Sequence, residues 1–165
     1  MASTYTPIAT TTLGSAASSV TFSSIPSTYT DLILVTSVAF TAAGDTFYMQ
    51  FNGTGGTAYS STYLTGDGSS ATSSRRTSTN AVYDKGSPST NTSNFNVYIF
   101  NIQNYANTTT YKTVLGRYNQ VDAQVVGAVS LWQNTAAINQ ILFGEASGNN
   151  WRVGSTFTLY GIKAA

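Results

Sequence analysis

The chain has 165 residues, 41% of them hydrophobic and 8% charged, where an ordinary globular domain carries roughly 25% charged residues. That is enough apolar content for one domain, residues 1–165, with a hydrophobic core. A net charge of +1 excludes the basic footprint of a nucleic-acid or anionic-membrane binder. The absence of cysteine and histidine excludes disulfides, thiolate and imidazole metal sites, and nucleophile systems that need an imidazole base.

Read from the N-terminus, the chain has no basic segment followed by an apolar run, so no secretory signal is expected. Residues 4–12 and 19–25 predict the first two strands. Residues 31–40 form the most apolar run, with Leu32, Leu34 and Thr36 on one face and Ile33, Val35 and Ser37 on the other. Apolar residues on both faces predict a strand well inside a sheet and covered on both sides at its start. Residues 41–45 read as a hairpin loop into a strand at 46–51, where Phe47, Met49 and Phe51 alternate with their neighbours.

Asn52-Gly53 and Asp67-Gly68 are turn signals, because both pairs tolerate positive φ. Between them, residues 58–64 predict a short strand or one helical turn in an accessible loop. The polar stretch that follows allows at most a weak strand at 75–83. Further strands are expected at 95–102, 108–118, 125–132, 138–143 and 156–162. Short β-branched and aromatic runs closed by turn residues, with no amphipathic helix to cover a single sheet, predict an all-β, jelly-roll-like antiparallel sandwich of about 8–10 strands.

The glycine-rich stretch Phe51 to Ser70, "FNGTGGTAYSSTYLTGDGSS", carries the most suggestive chemistry. Gly53-Thr54-Gly55-Gly56-Thr57-Ala58 satisfies a loose dinucleotide fingerprint. That motif needs a following helix to receive the pyrophosphate and an acid about twenty residues on, and neither is present. No lysine follows the glycines, so a P-loop is excluded as well. The six acids lie mostly beside turn signals and are too dispersed in sequence for a calcium loop. A carboxylate pair formed in space would suit glycoside hydrolysis. Lys85, Lys112 and Lys163 stand in no Ser-x-x-Lys arrangement and read as solvated. No catalytic, cofactor-binding or metal-ligating residue is assigned. Tyr59 and Tyr63, with Arg75 and Arg76, are the candidate interface residues, since tyrosine and arginine dominate binding hot spots. The same two tyrosines, spaced to share a side, either offer ring faces for stacking on a sugar or bury them against the edge of the sandwich.

"IATTTLGSAASSVTFSSIPSTYTDLILVTSV", "MQFNGTGGTAYSSTYLTGDGSS", "NTAAINQILF" and "GSTFTLYGI" together resemble a family of small structural proteins of tailed bacteriophages, especially marine and cyanobacterial ones. The resemblance runs from Ile8 to Ile162, and residues 73–94 fall outside its pattern. It implies a non-enzymatic virion component, made in a host cytoplasm and built into the particle. Its partners would be the major capsid protein or other virion proteins, with a homotrimer as the expected oligomer. Three functions stay open: a capsid decoration protein, a tail-fibre or receptor-binding part that contacts host glycan, and a carbohydrate-active enzyme.

Overall fold

The computed structural model describes residues 4–44, 46–85 and 92–163. Among these residues twelve strands run in chain order: β1 (Tyr5–Thr12), β2 (Ser19–Phe22), β3 (Asp31–Val38), β4 (Phe47–Phe51), β5 (Tyr59–Gly66), β6 (Ala71–Thr79), β7 (Val82–Tyr83), β8 (Asn96–Gln103), β9 (Lys112–Gln120), β10 (Gln124–Trp132), β11 (Ile141–Glu145) and β12 (Thr156–Ile162). They form an all-β sandwich of two antiparallel sheets. An eight-stranded sheet has the order β1-β12-β3-β8-β9-β10-β5-β6, and a four-stranded sheet has the order β2-β11-β4-β7. Among the described residues no helix is long and apolar enough to cross a membrane.

The run at 31–40 takes its expected place, because β3 pairs with β12 on one side and β8 on the other. Leu32 and Leu34 face the core, while Ile33 and Val35 are half-buried on the outer face. Two expectations need correction. The segment after β3 is not a hairpin loop: β3 lies in the large sheet and β4 in the small one, so the chain changes sheets there. Gly44 takes φ 92°, and Asp45 lies outside the described residues. The weak strand expected at 75–83 is instead a nine-residue edge strand, β6, followed by the short β7. β6 pairs only with β5, and a strand held by its backbone ladder at an edge needs no apolar face.

Asn52-Gly53 is a tight turn with φ of 53° and 63°, closed by the Thr54 N–H donating to the Phe51 carbonyl at 2.9 Å. It too carries the chain from one sheet to the other. The Asn52 carboxamide accepts the N–H groups of Asn139 and Gln140 and donates to the Ala137 carbonyl. A Cβ on Gly53 would meet only Gln140 Oε1, at 3.8 Å, so the demand for glycine comes from φ and not from crowding. Gly53→Val is expected to cost about 1–2 kcal/mol, the penalty of a left-handed L-residue. An unchanged urea midpoint would contradict this turn.

Between the sheets the core is mainly aromatic. Phe47 packs against Tyr98, Phe100, Tyr118 and Phe143 with ring centroids 5.0–5.3 Å apart. Phe143 stacks on Trp151 in turn, at 5.4 Å. A second group joins Phe51, Tyr59 and Trp132.

Candidate functional site

The β5–β6 hairpin brings Tyr59, Tyr63, Arg75 and Arg76 together but divides them between core and surface. β5 is a regular strand between β10 and β6, not an accessible loop. Side chains alternate along a strand, so Tyr59 and Tyr63 do share one side, and that side faces inward. Their exposures are 0% and 1%, which corrects their assignment as interface anchors. The Tyr59 hydroxyl accepts the Phe51 N–H at 3.0 Å, and its ring stacks on Trp132. Burial pushes its pKa up to about 12. The Tyr63 hydroxyl donates to the Tyr83 carbonyl at 2.9 Å. Neither ring offers a face to a sugar. Tyr63→Phe is expected to lose only that hydrogen bond, about 1 kcal/mol, with no effect on any docking activity; thermal unfolding beside a binding assay checks both halves.

Arg75 is exposed opposite Thr62, on the outer side of the sheet. Arg76 points the other way, with its guanidinium 5.5 Å over the Tyr83 ring and 3.5 Å from the Lys85 carbonyl.

The outer face of the large sheet carries what the sequence reading missed. Leu64, Val97, Leu115, Val125 and Val129 are exposed large apolar side chains. All sit at outward positions of β5, β8, β9 and β10. Cross-strand pairing places Val35, Ile99, Arg117, Gly127 and Leu64 in one row. The next row holds Ile33, Asn101, Leu115, Val129, Thr62 and Arg75. Leu64 is 67% exposed and Val125 63%, so these are not core residues at a ragged edge. A Cβ on Gly127 would touch nothing within 4 Å, and the gap it leaves beside Arg117 and Leu64 deepens a depression of about 630 Å³. The signal was present in the sequence: Val97 and Ile99, like Val125 and Val129, are apolar at positions opposite in phase to the core set.

Among the described residues three charged side chains are buried: Asp84, Lys112 and Glu145. Lys112 is not solvated as expected; its ammonium donates to the Thr110 and Thr135 carbonyls at 2.8 and 3.1 Å, and burial lowers its pKa. Glu145 accepts the N–H groups of Ser147 and Asn149 at 2.5 and 2.6 Å. Asp84 accepts the Lys85 N–H and the Gln120 carboxamide, and burial raises its pKa. At the surface, Asp67 accepts the N–H and O–H groups of Ser69 and Ser70, which hold its carboxyl far below the usual range. Asp31 accepts the Asn104 N–H at 2.6 Å. These carboxylates brace turns and strand ends. Among the described residues no three carboxylates gather as a metal centre would require.

The structure therefore offers a broad apolar face with two arginines as its most distinctive surface. No protein-family model matches the chain, and no curated protein matches it in sequence.

Proposed function

We propose that this protein is a non-enzymatic structural component of a bacteriophage virion, a decoration subunit that docks on the capsid surface and stabilises the shell. The observation that carries this reading is the outer face of the eight-stranded sheet, where Leu64, Val97, Leu115, Val125 and Val129 lie exposed together. A monomer rarely leaves a contiguous apolar patch of this kind uncovered, and such patches mark assembly surfaces. The ordered motifs that resemble phage structural proteins point the same way. So does the low charge, because few ionised groups must be desolvated when the surface is covered.

A tail-fibre subunit gripping host glycan drew its support from Tyr59 and Tyr63, and both rings are enclosed. The enzyme reading drew on a carboxylate pair, whereas Asp31, Asp67 and Glu145 are each held by neighbouring backbone N–H groups. Immunogold labelling of particles from a phage lysate tests the proposal. Label on the heads is the expected result. Label confined to tails favours a fibre subunit, and unlabelled particles overturn the virion reading altogether.

A further inference from the structure

The virion reading leaves open which surface of the sandwich meets the shell and what chemistry the shell must present. Across β12, β3, β8, β9, β10 and β5 the outer face spans roughly 29 Å by 27 Å, about 800 Å², at ordinary strand spacing and rise. That matches the share of about 800 Å² that each partner contributes to a standard stable interface.

Charge decides among the occupants. Arg117 lies inside this face and Arg75 on the next row. Among the described residues the carboxylate at an outward strand position is Asp31, at the start of β3, already bonded to the Asn104 N–H. A second copy laid squarely on the face would bring four guanidinium groups into one apolar interface without acids to meet them, and unpaired buried charge is strongly unfavourable. Sliding the copy until its Asp122, in the turn between β9 and β10, reaches Arg117 confines the overlap to the five residue steps that separate them, about 17 Å of strand. That leaves roughly 500 Å², well short of a standard interface.

We infer that the outer face of the eight-stranded sheet docks an apolar protein surface bearing carboxylates, with Arg117 and Arg75 pairing those carboxylates. Leu64, Val125 and Val129 supply the apolar contact, and the depression at Gly127 receives a side chain of the partner. The inference rests on the virion reading, from which it takes the shell subunit as the partner.

The test uses particles purified from a lysate of phage in which the gene for this chain is deleted. Labelled wild-type protein, Arg117→Glu, Val129→Asp and Lys163→Glu are each titrated onto them, with melting temperatures measured in parallel. Lys163 is exposed at the other side of the sheet, over the Tyr29 ring, so its reversal controls for net charge. The expected result is a loss of at least tenfold in affinity for Arg117→Glu and Val129→Asp at unchanged melting temperature, with Lys163→Glu within twofold of wild type. Binding should also weaken as salt is raised. Wild-type binding that Arg117→Glu and Val129→Asp both retain overturns the face while leaving the virion reading intact. Failure of the wild-type protein to bind overturns both. Sedimentation gives a further outcome: a self-associated wild type that Arg117→Glu or Val129→Asp dissociates would assign the face to a second copy and overturn the inference.

Discussion

Replacing Phe47 with alanine is expected to remove about 3–5 kcal/mol of stability, the usual cost of emptying a buried phenylalanine site. Native domains of this size hold only about 5–15 kcal/mol in total, so the variant should sit near the edge of unfolding at room temperature. The magnitude follows from position. Phe47 is fully buried and projects from β4 of the small sheet onto Tyr98 and Phe100 of β8 and Tyr118 of β9 in the large one. Three of its ring contacts are edge-on and the fourth, with Phe143, is stacked, geometries that add to simple burial. Loss of the ring would open a cavity at the joint between the two sheets, where neither sheet can close in without shearing the other. Urea unfolding followed by the fluorescence of Trp132 and Trp151 measures the effect. Phe95→Ala, at a site 39% exposed, should fall within about 0.5 kcal/mol of the parent. Equal midpoints for the two variants would refute this account of the core.

The all-β class, the interior position of β3 and the burial of Phe47, Met49 and Phe51 were legible because period-two alternation survives any sheet order. The sheet partners were not. Asn52-Gly53 looks the same whether the strands it joins pair with each other or belong to opposite sheets, since the turn fixes local φ and says nothing about long-range ladders. β6 was nearly invisible for a different reason: its partner β5 supplies the hydrogen bonds, so "ATSSRRTST" needs no apolar rhythm. The candidate site failed at the tyrosines. Their spacing placed them correctly on one side of β5, but which side is inward depends on the register with β10, and Ala128 opposite Tyr63 belongs to the inward set. The outward set, Val125, Val129 and Leu115, was passed over because the strands expected at 108–118 and 125–132 were read from their β-branched and apolar content with no face assigned. Among the described residues these outward side chains stay exposed, and they are the ones the proposed docking surface uses.

Asp84 yields the other large expected effect, and its sign depends on pH. The side chain is 1% exposed. Burial, the largest influence, raises its pKa, while Gln120, the Lys85 N–H, the Tyr118 hydroxyl and the Arg76 charge pull it partly back. The buried Tyr98 and Tyr118 hydroxyls are in turn raised by burial and by the Asp84 charge, so the pocket disfavours ionised Asp84 relative to water. An aspartate in the unfolded chain titrates near 3.9, below its folded value. Protonated Asp84 is therefore the form that the fold prefers. Its contribution is most favourable below the unfolded pKa, declines as pH rises through the interval up to the folded pKa, and stays reduced above it. Asp84→Asn removes the titration but keeps an acceptor oxygen, so it is expected to gain on wild type as pH is raised from 3 to 7. Asp84→Ala should behave quite differently. It leaves the buried Gln120 carboxamide without its partner at 3.0 Å, a cost of about 1–3 kcal/mol for the orphaned donor, while the Lys85 N–H falls back on the Tyr118 hydroxyl. Adding the cavity left by the carboxyl group, Asp84→Ala should be less stable than Asp84→Asn at every pH. Urea midpoints across this pH range separate the cases. A wild type that gains on Asp84→Asn as pH rises would show that the charged carboxylate is the favoured form, with Gln120, Tyr118 and Arg76 outweighing its burial.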